Sequence, residues 1–235
     1  MKVIDNVYVV SGVRANSYIL VEPDPDGLTI IDTGLPFSEK RILTYMASKG
    51  WSARDIKRIL ITHADLDHYG CLAALQKESG ARTYASRVEA TAIAEGQSSR
   101  PIDRNGNNTL QRLLIAFFSR IMKATPFRVH EILAEGQTLP VLGGLQVVET
   151  PGHSPNHISF FAPAVRVLFC GDSMKSDDKG LRVSRSRNNW DQDRANASVS
   201  KQAGLGAEIV CPGHGPVVRD AGSKFPIWPG VSISL

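Results

Sequence analysis

Four times in this chain an apolar, strand-like run gives way to a turn bearing residues that can bind a metal. "RILI" runs into "THADLDHYG", "LQVVET" into "PGHS", "VRVLFC" into "GDS" and "AEIV" into "CPGHG". The first turn packs His63, Asp65, Asp67 and His68 into six positions. A strand end is stiff, and a tight turn there lets residues i, i+2, i+4 and i+5 converge on one pocket. The others place His153, Asp172 and His214 beside glycines, which let the backbone turn sharply. Imidazole and carboxylate together suit zinc, iron or manganese. Taken alone, Asp65 and Asp67 could instead cap the amides of a helix N-terminus. Together the four turns supply four His and three Asp. One tetrahedral metal needs only three or four ligands, so seven suit two metals with a shared carboxylate.

The patterning between these turns alternates. "VYVVSG", "SYILVEP" and "LTIIDTG" are β-rich runs separated by turn residues. "PFSEKRILTYMASKG" has helical spacing, with Pro36 near its start and Gly50 as its stop. "IKRILITH" is a short buried strand, "DHYGCLAALQKESG" a helix closing on Gly80, and "ARTYAS" another strand. This alternation predicts a layered αβ domain. "RVEATAIAEGQ" and the very apolar "TLQRLLIAFFSRIMKA" are helical, and the stretch at about 86–126 is expected to be an insertion or lid. Strands resume after it, a polar loop follows "GDS", and the segment from Asp191 to Leu205 is a predicted helix. No linker is visible, so a single domain over 1–235 is expected.

Composition excludes several classes. With 42% apolar and 21% charged residues the chain has the make-up of a globular protein. Its longest apolar stretch, Leu113 to Phe118, is too short for a membrane span. Three cysteines, none in a CxxC, argue against a disulfide framework, so a reducing, cytoplasmic setting is expected. The N-terminus has no long apolar run and does not resemble a signal peptide. The net charge of +4 is mild. The basic stretch Lys175 to Arg187 could steer an anion or a nucleic acid, or simply be a solvated loop.

In order and spacing, HxDxDH, PGHS, GDS and PGHG resemble the HxHxDH, His, Asp, His pattern of the metallo-β-lactamase fold superfamily. "IDTG" at Ile31 to Gly34 resembles another of its markers. The match runs from about Val7 to Val218. The resemblance implies an α+β fold, an αββα sandwich of two packed mixed sheets flanked by helices, with a two-metal site at the sheet edge. It implies that His63, Asp65 and His153 hold one metal, that Asp67, His68 and His214 hold the other, and that Asp172 bridges them. Asp67 and Asp172 are then the carboxylates expected to serve catalysis as well. The expected cofactors are two divalent ions, Zn first, with Fe or Mn possible. The implied chemistry is a metal-dependent hydrolase: a hydroxide on the two metals attacks an ester, lactone, thioester or similar bond of a small molecule. A nuclease or phosphodiesterase is the alternative. An iron-dependent redox enzyme is less favoured, since the chain has no room for the flavin domain such members usually carry.

The departure from the family pattern is Asp65, where histidine is usual. Carboxylate still binds zinc. It leaves the pair of ions one positive charge poorer, which weakens them as Lewis acids and favours harder metals. Outside the ligand set, Asp32 of "IDTG" is expected to support a ligand histidine or to form a turn. His157, at the start of a strand, is a candidate substrate contact or a structural histidine. Ser184, Ser186, Asn188 and Trp190 could face the site. Nucleic acid is not the favoured partner, and a homodimer is possible.

Overall fold

Residues that alternate along each strand go to opposite faces, and both faces are covered. In β3 (Ala15–Val21), Tyr18 and Leu20 point to one side and Ile19 to the other, and all three are buried. In β11 (Val167–Gly171), Val167 and Phe169 point one way, and Leu168 and Cys170 the other. Sheets buried on both sides need layers on both sides. The computed structural model describes residues 1–23, 27–100, 123–184 and 186–226, and shows those layers.

Among the described residues the first sheet has seven strands in chain order. They are β1 (Lys2–Ile4), β2 (Val7–Val13), β3, β4 (Leu28–Ile31), β5 (Ile56–Leu60), β6 (Arg82–Ser86) and β7 (Glu131–Leu133). It is antiparallel up to β4 and parallel from β4 onward. The second sheet is built from β8 (Thr138–Leu139), β9 (Leu145–Glu149), β10 (Ile158–Ala162), β11, β14 (Ile209–Pro212) and β15 (Val218–Arg219). Its β11–β14 pair is parallel and the rest antiparallel. Both sheets are therefore mixed, as expected.

Three apolar layers hold this together. Between the sheets, Val7, Tyr18, Leu20, Ile31 and Leu60 meet Leu145, Val147, Ile158, Phe160 and Phe169. Each such buried side chain contributes about 1.5–3 kcal/mol. Outside the first sheet pack α1 (Glu39–Ala47), α3 (Leu72–Ser79) and α4 (Arg87–Glu95), through Ile42, Met46, Leu72, Leu75 and Ile93. Outside the second packs α5 (Gln192–Ala203), through Val199 on Leu168 and Val210. The order helix, sheet, sheet, helix is the expected αββα sandwich.

Several local readings need correction. The N-terminal run, whose residues Met1–Val13 are expected as one strand, breaks into β1 and β2 at Asn6, whose φ of 63° makes a turn between them. The helix expected after His63 is two pieces, α2 (Leu66–Tyr69) and α3, separated at Gly70–Cys71. Pro36 presses on Gly70 so closely that a Cβ there would lie 2.4 Å from the ring. The polar loop after "GDS" contains a hairpin, β12 (Met174–Asp177) and β13 (Gly180–Val183), whose Met174 and Leu181 are buried. Of the stretch 86–126, α4 packs into the first helical layer, while residues 101–122 and the apolar helix expected there lie outside the described residues. No helix among the described residues is long and apolar enough to cross a membrane.

Candidate metal centre

The site is assembled at the ends of β4, β5, β9, β11 and β14. Strands β4 and β5 are parallel, with Ile31 level with Leu60. Their extensions therefore carry Asp32 and Thr62–His63 to the same edge. Asp32 Oδ1 accepts the Thr62 amide at 2.9 Å, and its Oδ2 accepts the Thr62 hydroxyl at 2.8 Å. The same Oδ2 lies 2.7 Å from His68 Nδ1. A carboxylate can only accept, so His68 carries a proton on Nδ1 and, when neutral, presents a lone pair at Nε2. The Thr62 hydroxyl proton is committed to Asp32, so Thr62 Oγ1 accepts from His63 Nδ1 at 3.0 Å. His63 too is left with a lone pair at Nε2. One buried acid thus fixes the tautomer of two histidines. Asp32 thus touches both Thr62 and His68.

All seven sequence-nominated residues converge. His63 Nε2 and His153 Nε2 lie 3.6 and 3.2 Å from Asp65 Oδ2. His214 Nε2 lies 3.3 Å from Asp67 Oδ2. Asp172 sits between the two sets: its Oδ1 is 3.3 Å from His68 Nε2 and 3.5 Å from His214 Nε2, and its Oδ2 is 3.7 Å from His153 Nε2. Three groups have ligand atoms all within 4.8 Å of one another: His63, Asp65 and His153; His63, His68 and Asp172; and Asp67, His68 and His214. His63 Nε2, His68 Nε2 and Asp172 Oδ1 are buried and make no hydrogen bond among the described residues. An unsatisfied buried polar atom costs about 1–3 kcal/mol. Three of them aimed at one spot fit a cation, which would use every lone pair. Gly213 closes the spot: a Cβ there would lie 2.5 Å from Asp172 Oδ1 and 2.6 Å from His68 Cε1.

The acids are held ionised. Burial alone would raise the Asp65 carboxyl, but the His153 hydrogen bond and the nearby His63 outweigh it and hold it well below the usual range. Burial is likewise outweighed at Asp67, where the His214 hydrogen bond and the His68 charge bring the pKa down to about 2. At Asp172, the nearby His68, then His153 and His214, overcome burial in the same direction.

His157 does not face the cleft. It is fully buried, its Nε2 accepts the Asp172 amide at 3.1 Å, and its Nδ1 donates to Thr150 Oγ1 at 2.8 Å. Burial, then the neighbouring His63 and His153, hold its pKa well below the ordinary histidine value. It is a neutral bracket for the Asp172 backbone. Ser184 Oγ also bonds the Asp172 carbonyl, at 3.2 Å, while Asn188 lines the cleft. Trp190 donates its amide to the His153 carbonyl at 3.1 Å, and its ring lies beside Arg194. Ser186, in a short turn, makes no side-chain contact to the site among the described residues. Cys71, Cys170 and Cys211 are buried free thiols and join none of the ligand groups.

Four residues escaped sequence reasoning. Glu89, fully buried on α4, accepts from the Ala64 amide, Ser99 Oγ, Ser154 Oγ and the Asn156 amide, at 2.6–3.2 Å. It ties the turn after His63 to the turn after His153. Ser98 donates to Asp65 Oδ1 at 2.8 Å, and Arg100 Nη2 lies 2.5 Å from Asp65 Oδ2. Lys175 Nζ lies 3.0 Å from Asp172 Oδ2. The partners of Glu89, Ser98 and Arg100 are far away in sequence, so no local motif could have flagged them, whereas Lys175 opens the basic stretch and lies three residues from Asp172. The cleft over the site holds about 530 Å³, with Arg14, Arg100, Lys175 and Asn188 around the acids and imidazoles.

This geometry has a known setting. Residues 11–214 match the Metallo-beta-lactamase superfamily, and the chain belongs to that family as a hydrolase. Over 213 residues it is 27% identical to the "Probable metallo-hydrolase YflN" of Bacillus subtilis (strain 168), an alignment that takes in 86% of this chain and 80% of that protein. Over 135 residues it is 29% identical to a hydroxyacylglutathione hydrolase of Bradyrhizobium sp. (strain BTAi1), with 57% of this chain and 39% of the relative aligned. The chain thus spans about two fifths of that relative. Among solved structures, the metallo-beta-lactamase family protein TTHA1429 from Thermus thermophilus superposes with a TM-score of 0.69 at 22% identity, covering 95% of this chain and 78% of that one. That likeness concerns the fold.

Proposed function

We propose that the chain is a two-metal hydrolase that opens an ester, lactone or thioester bond of a small molecule. The carrying observation is the pair of His/Asp groups on either side of Asp172, with buried lone pairs of His63, His68 and Asp172 left unpaired. In this reading His63, Asp65 and His153 hold one divalent ion, Asp67, His68 and His214 hold the other, and Asp172 serves both. The histidine and carboxylate donors suit zinc first, and the extra acid at Asp65 also admits iron or manganese. When bound, two such ions supply a hydroxide at neutral pH and polarise the scissile carbonyl.

The chain's own groups do the rest. Asp67, with its pKa near 2, stays ionised at neutral pH and can accept and orient a proton at Oδ2. Asp32 and Thr62 keep the His63 and His68 rings from turning. His157 fixes the Asp172 backbone. The aligned hydroxyacylglutathione hydrolase supports a thioester as the first substrate class to test.

The test is metal analysis of the purified protein, then chelation, remetallation and assay on ester, lactone, thioester and phosphodiester panels. Carbonyl-centred hydrolysis that disappears on chelation and returns with zinc, iron or manganese is the expected result. No carbonyl hydrolysis with any of these metals would overturn the reading, and turnover confined to phosphodiesters would replace it with the nuclease class.

A further inference from the structure

Among the described residues three cations line the cleft, and two of them already face acids. Arg100 is paired with Asp65 and Lys175 with Asp172. Arg14 differs. Its side chain is exposed and makes no hydrogen bond or ion pair among the described residues, yet it borders the same cleft as Asp65, Asp67 and His214.

The backbone beneath Arg14 is a built platform. Arg14 is the tip of the tight turn between β2 and β3, where Val13 pairs with Ala15. Its φ is +82°, a region that side chains other than glycine seldom occupy, at a cost of about 1–3 kcal/mol. Gly12, two positions earlier, has the same φ and is a glycine. The turn is fixed from both sides. The Leu35 amide bonds the Val13 carbonyl at 3.1 Å, tying it to the loop after Asp32. Asn16 bonds the loop that carries His214 three times: its amide reaches the Gly213 carbonyl at 2.7 Å, and its Nδ2 reaches the Pro212 and Gly215 carbonyls at 3.0 and 2.9 Å. An arginine is thus held in a strained conformation, on a turn bolted to the site, with no acid among the described residues committed to its charge.

We propose that Arg14 anchors an anionic group of the substrate, a carboxylate or phosphate lying away from the scissile bond. This rests on the hydrolase reading above and adds the substrate class: small acyl esters, lactones or thioesters that carry a negative charge. The guanidinium fork offers paired N–H donors that match the two oxygens of either anion. A turn fixed to the His214 loop gives the anion a constant distance from the metal centre, which orients the bond to be cleaved.

The test uses the metal-loaded protein and a matched thioester series: one member with a free carboxylate, one with a phosphate in its place and one with a neutral amide. Wild type is expected to prefer one anionic member, and which one identifies the anion. In Arg14→Ala, the kcat/KM ratio of that member over the neutral one falls about 10- to 100-fold, chiefly through KM, with Arg14→Lys in between. Arg14→Gly guards against misfolding, since it removes the cation while relieving the backbone. It should melt no lower than wild type and show the same loss of preference. Calorimetry with the acid product as probe gives a reading independent of turnover. Its binding should weaken in Arg14→Gly by a similar factor. If no member of the series is turned over, the hydrolase reading fails, and the product titration still decides Arg14. An unchanged ratio together with unchanged product affinity in Arg14→Gly would overturn the proposal.

Discussion

Arg100 Nη2 lies 2.5 Å from Asp65 Oδ2, the oxygen that also faces His153 Nε2 at 3.2 Å and His63 Nε2 at 3.6 Å. Both partners are about one-seventh exposed, so the pair is only partly screened by water. Asp65 is the acid that stands where the family usually has histidine. The structure supplies a guanidinium on the acid that replaces it, and returns the positive charge that the substitution removes.

That pairing predicts strong coupling. In metal-free protein, Arg100→Ala should cost about 1–3 kcal/mol, because a buried carboxylate loses its charged donor. In the Asp65→His background the same substitution should cost nothing or stabilise, since the guanidinium would then face only imidazoles. Urea unfolding of all four members of the cycle, in chelator, measures the coupling. Equal losses in both backgrounds would show that Arg100 acts independently of Asp65.

Asp32 bonds both Thr62 and His68. Asp32→Asn keeps the size but puts an amide where two donors arrive, freeing the rings of His63 and His68. Metal affinity, measured by competition with a chromophoric chelator, should fall about 10- to 100-fold. Affinity within about twofold of wild type would mean that packing alone holds the rings.

Glu89 accepts four hydrogen bonds in a fully buried position. Glu89→Gln leaves one oxygen for these donors and turns an NH2 toward the rest. The loss should be about 2–4 kcal/mol by urea unfolding. The control Glu95→Gln, on the exposed face of the same helix, should stay within about 0.5 kcal/mol.

Metal-free protein should be most stable near pH 6.5. Burial alone would lower the His68 pKa, but Asp32 and Asp172 outweigh it and raise it well above the ordinary 6.5. A raised pKa gives stability that is complete below 6.5 and fades as pH climbs through the folded-state value. For His157 the pKa is depressed, by burial and then by His63 and His153. Its contribution is present above 6.5 and fades as pH falls. The melting temperature in chelator should therefore drop on both sides between pH 5 and 8.5. A steady rise over that range would exclude a charged His68 between two carboxylates.

Much of this was legible in the chain. Tyr18, Leu20, Val167 and Phe169 announce two-faced strands by their spacing, and "ITHADLDHYG", "PGHS", "GDS" and "PGHG" announce ligands because strand ends and glycine turns are local features. The hairpin β12–β13 was less visible, since Met174 and Leu181 are isolated apolar residues in a charged stretch. The close approach of Pro36 to Gly70 was hidden because the two lie in different segments of the chain.

The sequence by itself determined the layered fold and which seven His and Asp residues fall in turns at strand ends, because both follow from periodicity and residue type along short stretches. Tertiary structure alone decided how those residues are held. Asp32 reaches across from the neighbouring strand to His68, Glu89 bridges the turns at Ala64 and Ser154, and Arg100 comes from a separate segment to Asp65. Such pairs form only where folding brings distant charges into a poorly hydrated edge, in which every donor and acceptor must find a partner.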